Sequence, residues 1–274
     1  MLIPENVRQE CMPMMVYNVC RLVSYRECTK QDIIQLITAG TSNDSNENDY
    51  SEESSDTKSV NPISQVIKFC TDGEFIKEEN GKYKCLVDPA CLESFADFAY
   101  EILCGLKKRI NSSFDVFFNS VVNQKRNISD YSTAQSYIKL VKNEKIKSEN
   151  RVHGCLFWME ALGFIGFDGN KKGSIHFCLE EVIQQFIEKK GLTGYYNASV
   201  FFNLMKNEIP LIEYCLKDNV VNYSMSQGLR VLERQGIIQF DTQSDSGDIW
   251  HLEQSPVFVD GNEFSRVKVN IDGK

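Results

Sequence analysis

The sequence has few of the residues that catalysis and metal binding need. Only three histidines occur in 274 residues, and none lies beside a suitable nucleophile. Ten cysteines are present, but no CxxC pair, so zinc ligands at short spacing are absent. Motifs for phosphate-binding loops, dinucleotide binding, zinc proteases and nucleophile elbows are also missing. The sequence therefore predicts a protein that is not an enzyme, with no catalytic residues, no metal and no cofactor.

Long apolar runs are lacking as well. The first residues include Glu5, Arg8 and Glu10, which a secretory signal peptide would not carry. The longest apolar stretch, residues 154–166, is too short and too interrupted to span a bilayer. The cysteines are scattered through apolar patterns, as expected of reduced core residues. These features predict a cytoplasmic protein with no membrane association.

Charge is distributed unevenly along the chain. The net charge of −8 argues against nucleic-acid binding by the protein as a whole. Residues 41–61 hold six acidic residues, one basic residue and almost no apolar ones. Such a segment cannot offset its ordering entropy by burial, so we predict a disordered acidic insertion, most clearly over 42–58. Residues 105–180 hold twelve basic and seven acidic residues, so a basic middle is flanked by acidic ends.

One pattern occurs three times along the chain. It consists of an amphipathic helix, a glycine, an apolar pair, a polar turn with a second glycine, and a short alternating strand. The glycine pairs lie 8, 10 and 11 residues apart: Gly73 and Gly81, Gly163 and Gly173, Gly236 and Gly247. Glycine ends helices readily in a left-handed conformation, and a polar glycine turn reverses the chain. Each copy therefore predicts a helix and a hairpin, with hairpins near 75–87, 164–179 and 237–252.

Further helices are expected ahead of each copy. Thr29-Lys-Gln-Asp32 is a capping-box-like helix start, the third helix of the second copy begins near Ser148, and Asn222 or Ser224 caps that of the third. SVFFNLMK and LIEYCLKDNV are expected as the first two helices of the third unit, and residues 91–110 and 180–190 as linking helices. The predicted fold class is mainly α with small β-hairpins (α+β), in three units: 1–90, 91–180, and 181–274 with a C-terminal strand tail.

These three helix–hairpin units resemble the winged-helix superfamily, over nearly the whole chain. The opening Met1-Leu-Ile-Pro-Glu-Asn-Val7, followed by a short first unit and two more, is similar to the accessory winged-helix protein of bacterial 7-deazaguanine DNA-modification islands. That resemblance implies a role in the modification or restriction of foreign DNA. The tandem, acidic chain is also similar to the winged-helix subunits that clamp the kleisin of SMC-type complexes. That second resemblance implies binding of protein alone.

The basic middle of the chain contains the candidate DNA-binding residues. Winged helices place their third helix in the major groove and contact the backbone with the wing. Cations are expected in the loops, helices and wing tip of the second unit: Lys125, Arg126, Lys142, Lys145, Lys147, Arg151, Lys171 and Lys172. In the third unit, Gln227 and Arg230 are candidates for reading base edges. Its acidic wing would repel phosphate, so changing Asp245 and Asp248 to lysine should strengthen non-specific binding.

The sequence thus predicts a DNA-associated adaptor of a bacterial DNA-modification or anti-phage defence complex. The second unit would contact double-stranded DNA, and the first and third would dock a larger protein such as an ATPase, helicase or nuclease. Three alternatives stay open: a solvated basic face with no ligand, a protein-interaction clamp without DNA contact, and a transcriptional regulator acting as a homo-oligomer.

Overall fold

The computed structural model describes residue 3 and residues 7–41, 61–106, 112–124, 133–142, 146–167, 175–243, 247–254 and 263–270. Apart from its two end residues, the predicted disordered insertion of 41–61 lies outside these ranges. Helices and small, mostly antiparallel sheets make up a mixed α+β protein, as the sequence predicts. Within the described residues, no helix has the length and apolarity needed to cross a membrane.

The first unit is three helices followed by a hairpin. Its elements are α1 (Pro13–Tyr25), α2 (Lys30–Thr41), α3 (Pro62–Asp72), β1 (Ile76–Glu79) and β2 (Lys82–Cys85). The predicted capping box is confirmed, because Asp32 Oδ2 accepts from Thr29 N at 2.8 Å and Thr29 Oγ1 accepts from Asp32 N at 3.2 Å. β2 pairs with β1 on one side and, through Tyr83, with Cys28 on the other. We call β2, the strand that follows the hairpin turn, the returning strand. It therefore lies between β1 and the segment at Cys28.

The second unit has the same order of elements. A 3₁₀ turn (Pro89–Leu92) and α4 (Phe95–Gly105) lead to α5 (Ser113–Val122), α6 (Ala134–Val141), α7 (Glu149–Ala161), β3 (Ile165–Phe167) and β4 (Ile175–Phe177). β3 and β4 form an antiparallel pair, within the range predicted for the second hairpin. Ser148 caps α7 as predicted, with its hydroxyl accepting from Arg151 N at 3.4 Å.

The third unit is more elaborate than predicted. Its elements are α8 (Leu179–Lys190), β5 (Gly194–Asn197), α9 (Ala198–Glu208), a 3₁₀ helix (Pro210–Cys215), β6 (Leu216–Lys217), β7 (Val220–Val221), α10 (Tyr223–Arg234), β8 (Ile238–Asp241), β9 (Trp250–Leu252), β10 (Glu263–Phe264) and β11 (Arg266–Val269). One sheet has the order β5–β11–β8, and a second has the order β10–β9–β7–β6. As in the first unit, the returning strand β11 is central in its sheet.

Two predictions for this unit are wrong. β8 pairs with β11, and not with the 250–252 strand that the glycine turn predicts. β9 instead lies parallel to β7, where its Trp250 and Leu252 side chains are buried. The expected helix LIEYCLKDNV is a 3₁₀ helix and a tight hairpin, because Asp218 and Asn219 both take positive φ values, 51° and 58°. Two consecutive residues with positive φ form a two-residue hairpin turn whose twist matches that of the flanking strands.

The three third helices end in the same way. The amide of the residue that begins the apolar pair donates to a carbonyl five residues back: Phe75 to Cys70, Phe164 to Met159 and Ile237 to Leu232, at 2.9 to 3.0 Å. The residue before each donor is left-handed: Glu74, Gly163 and Gly236, at φ 61°, 77° and 74°. In the first copy the left-handed residue is therefore Glu74, one position after the predicted Gly73.

The hydrogen bond at the end of the returning strand is also the same in all three units. The carbonyls of Phe75, Phe164 and Ile237 accept from residues just after the returning strand: Leu86, Cys178 and Asn270. β2, β4 and β11 are thus equivalent strands. The stretch 242–265, which carries β9 and β10, is an insertion between the two sheet strands of the third copy.

The units share one core. Trp158 of α7 stacks on Phe69 of α3 with ring centroids 5.5 Å apart. Asn222, at the cap of α10 as predicted, donates to the Val122 carbonyl at the end of α5 at 3.0 Å. The buried apolar side chains form one continuous cluster across all three units. The predicted unit boundaries therefore do not correspond to independent cores.

Candidate nucleic-acid interface

The structure describes half of the predicted binding residues. Five of them lie outside the described residues: Lys125, Arg126, Lys145, Lys171 and Lys172. The other five are Lys142, Lys147, Arg151, Gln227 and Arg230, and their environments differ sharply.

The connection between α6 and α7 carries cations on both sides. Lys142 ends α6 in a left-handed conformation, with its N–H donating to Ile138 O at 3.2 Å and its side chain exposed. Lys147 is exposed ahead of α7, Arg151 is half-buried in the first turn of α7, and Lys139 is exposed near the end of α6. We call these four residues the α6–α7 edge. They are Lys139, Lys142, Lys147 and Arg151, and such a set attracts phosphate.

Helix α7 itself is covered by the N-terminal segment. A Cβ on Gly154 would lie 2.7 Å from the carbonyl carbon of Arg8, so the two backbones touch. Trp158 Nε1 donates to Cys11 O at 3.0 Å, and Asn150 Nδ2 donates to the Glu10 carboxylate at 3.1 Å. The N-terminal segment therefore covers the face of α7 that carries Asn150, Gly154 and Trp158, and that face is not available to a major groove.

The expected base-reading role of α10 is wrong. Arg230 is 3% exposed, and burial lowers the pKa of its guanidinium. Ser226 is buried beside it, donating to Val221 O and accepting from Glu253 N, both at 3.0 Å. Gln227 is half-buried, and its Nε2 is enclosed without a hydrogen-bond partner in the described structure. The residues of α10 that would meet base edges are thus buried or half-buried, and α10 also packs closely on α8 at Gly228.

The expected repulsive role of the third wing fails at Asp248. Its carboxylate accepts from Ser199 N at 3.0 Å, from the Ser199 hydroxyl, and from Trp250 Nε1 at 3.1 Å. Burial opposes ionisation of the Asp248 carboxyl, but these hydrogen bonds together have the larger effect and lower its pKa. Asp248 therefore caps α9 from a distant loop, and a lysine there would break the cap. Asp245 lies outside the described residues.

The sheet of the third unit exposes an aromatic ring among cations, which the sequence patterns did not predict. Tyr195 of β5 is 60% exposed. Lys268 Nζ lies 5.6 Å and Arg266 Cζ 6.0 Å from the centroid of its ring. We call these three residues the aromatic–cation face. The alternation of GYYN and RVKV was the available signal. The C-terminal strand was predicted only as a tail, and GYYN was not predicted to be a strand, so the pairing of the two was missed.

Reactive centres are not evident in the described ranges. They contain no group of three or more His, Cys, Asp or Glu side chains placed to hold a metal. All ten cysteines are unbridged, and burial raises the pKa of Cys11, Cys178 and Cys215 to about 12. These three thiols stay protonated at neutral pH and are poor nucleophiles.

Comparison with known proteins gives no match among family models, curated proteins or solved structures. Support for a function therefore comes from the placement of charges and covered helices described above.

Proposed function

We propose that the protein is a non-enzymatic winged-helix adaptor that holds double-stranded DNA by its phosphates and docks a larger protein. The observation that carries the proposal is the contrast in the second unit. The N-terminal segment covers one face of helix α7, whereas Lys139, Lys142 and Lys147 of the α6–α7 edge are exposed. Contact through phosphates needs only the cations, and it needs no helix in the groove.

The winged-helix part of the proposal is supported by repeated geometry. Units one and three both have three helices and a sheet whose returning strand is central. All three units share the same helix ending and the same hydrogen bond after the returning strand. The setting in bacterial DNA modification or defence rests on the resemblance of the opening residues. An ATPase, helicase or nuclease is the partner which that setting implies.

Phosphate contact predicts weak and salt-sensitive binding, because each neutralised phosphate releases a counterion. Labelled duplex DNA should bind at about 50 mM salt and lose much of its affinity at about 200 mM in an anisotropy titration. The variant K142E/K147E should bind about tenfold more weakly at the lower salt. Sequence changes in the duplex should have little effect, because contacts to phosphates do not depend on the base sequence.

The matched control is K30E/K217E, which makes the same charge change at two exposed lysines of the other units. This control should bind like the wild type. The proposal is wrong if the wild-type protein fails to bind at about 50 mM salt, or if both variants lose affinity equally. Melting temperatures of both variants exclude unfolding as the cause of a loss.

A protein clamp without DNA contact is the second candidate, and one groove favours it. Met12, Met14, Phe95 and Phe157 line an apolar groove between α1, α4 and α7, with Met12 39% and Met14 46% exposed. Glu160 also lines the groove, and burial raises the pKa of its carboxyl. An apolar helix with a lysine or arginine opposite Glu160 would fit it. Loss of partner binding by M14E, with DNA binding absent, would favour this candidate.

A further inference from the structure

The sheets of the first and third units can be compared position by position. Cys85 of β2 pairs with Ile76, and Val269 of β11 pairs with Ile238, each at the start of its hairpin. Lys84 and Lys268 are therefore equivalent, as are Lys82 and Arg266. On the other side, Cys28 pairs with Tyr83, and Tyr196 pairs with Val267. This register makes Glu27 and Tyr195 equivalent too.

In the first unit, Lys84 stands at the position of Lys268, and carboxylates of the same unit neutralise it. Lys84 Nζ lies 3.5 Å from Glu27 Oε1 and 3.4 Å from Glu79 Oε2. These carboxylates raise the pKa of the Lys84 ammonium and satisfy its charge. An anionic ligand would have to displace them, so this face is not suited to phosphate.

The third unit has the same cations without that neutralisation. Tyr195 stands where the first unit has Glu27, and Asp241 stands where it has Glu79. Within the described structure, no carboxylate lies in ion-pair distance of Lys268 or Arg266, Asp241 included. Both cations instead lie beside the exposed ring of Tyr195. The substitution of an aromatic ring for a carboxylate converts a self-neutralised face into one that can accept an anion.

The position of the ring indicates which anion fits. In this sheet β5 is an edge strand, so strand neighbours, and both cations, flank Tyr195 on the β11 side only. Tyr195 is also 60% exposed, so a flat partner can reach its ring from solvent. An open aromatic ring with adjacent cations is the combination that binds single strands, because a base stacks on the ring while flanking phosphates meet the cations. A duplex keeps its bases stacked inside and cannot use the ring.

We propose that the aromatic–cation face binds single-stranded nucleic acid. A base stacks on Tyr195, and neighbouring phosphates contact Lys268 and Arg266. The exposed amides of Asn197 and Gln239, opposite Arg266 and Lys268 in the sheet, lie within the same face and contact base edges. This site is separate from the α6–α7 edge and does not depend on duplex binding there.

The test is an anisotropy titration with labelled oligo-dT and oligo-U of about 15 nucleotides and a duplex of the same length. Tyr195→Ala should weaken binding of the single strands about tenfold and leave duplex binding unchanged. Tyr195→Phe should bind like the wild type, since stacking needs the ring and not the hydroxyl. The two oligonucleotides distinguish a DNA ligand from an RNA ligand.

The cations are tested with a matched pair of variants. R266Q/K268Q should weaken binding of single strands and make the plot of log affinity against log salt less steep by about 1.4, the value for two lost phosphate contacts. K82Q/K84Q removes the equivalent two charges from the first unit and should have no effect. Melting temperatures establish that each variant is folded, and R266Q/K268Q remains a test if Tyr195→Ala does not fold.

Four results would overturn the proposal. They are absence of single-strand binding by the wild type at about 50 mM salt, full binding by Tyr195→Ala, an equal loss in K82Q/K84Q, and loss of single-strand binding in K142E/K147E. The last result would place the single strand at the α6–α7 edge. If K142E/K147E loses only duplex binding and Tyr195→Ala loses only single-strand binding, both sites stand.

Discussion

Single residues decide where this chain can bind a ligand, and local sequence does not reveal their surroundings. Arg230 is of a residue type that reads bases and lies on an amphipathic helix, yet it is buried in the folded protein. The sequence predicts that Asp248 is an exposed acidic residue of the third wing, yet its carboxylate caps α9. Lys142 and Lys147 lie at the surface as predicted, because turns between helices are exposed. Burial that depends on distant segments was not predictable from neighbouring residues.

Asp248 should make stability depend on pH. Its folded-state pKa is lowered, so its contribution is present above the unfolded pKa of about 3.9 and is lost as pH falls through the lower folded value. Asp248→Asn should destabilise the protein by about 1 kcal/mol at pH 7, the usual value of a helix cap. The difference in unfolding free energy between the variant and the wild type should shrink below about pH 4.

Denaturant titrations at pH 7 and about pH 3 measure this difference. Glu93→Gln is the control, since Glu93 is exposed and no hydrogen bond or ion pair of its side chain is recorded in the described structure. The cap interpretation is contradicted if Asp248→Asn and Glu93→Gln behave alike at pH 7.

At the level of elements, helices and adjacent hairpins were predictable, and the inserted strands were not. Caps such as Ser148 and the helix-ending glycines act within a few residues, so the sequence displays them directly. The prediction of the third hairpin failed because Gly247 suggests a nearby turn, whereas β8 pairs with β11, which follows the 242–265 stretch in the sequence. The α6–α7 edge was found because its charges cluster in sequence. The aromatic–cation face joins two segments some seventy residues apart.

The left-handed residue that ends the third helix differs among the three copies, and this difference leads to a second prediction about stability. Glu74 holds the left-handed position that glycine holds in the other two copies, and a side chain there costs about 1 kcal/mol. Glu74→Gly should therefore stabilise the protein by about 1 kcal/mol, less the larger entropy that glycine has in the unfolded chain. Gly236→Ala should lower the free energy of unfolding by a similar amount. Backbone strain alone would cause this loss, since a Cβ at position 236 meets no atom within 4 Å. Denaturant midpoints that move in the same direction would contradict the assignment.

At the scale of the whole molecule, the units are held together by close backbone contact. Alanine in place of a helical glycine normally stabilises by about 1 kcal/mol. At Gly154 the added methyl group would lie 2.7 Å from the backbone of Arg8, and such overpacking costs about 1 to 3 kcal/mol. We expect Gly154→Ala to destabilise the protein by about 1 kcal/mol overall.

Gly247→Ala is the control for this contact, because a Cβ there meets open space. It should change the unfolding free energy by less than about 0.5 kcal/mol. Fluorescence of Trp158, which lies between the first two units, reports whether Gly154→Ala loosens the contact before global unfolding. A Gly154→Ala protein as stable as the Gly247→Ala protein would show that Arg8 moves away at no cost.

The central position of β11 has a consequence for how the protein is made. β5 and β8 leave the ribosome well before β11, and neither can pair with the other until β11 enters between them. The first two units have hairpins whose strands emerge almost together, so they can fold during synthesis. The third sheet must wait with two unpaired strand edges exposed. Those edges are where nascent chains of this protein would associate with one another or require a chaperone.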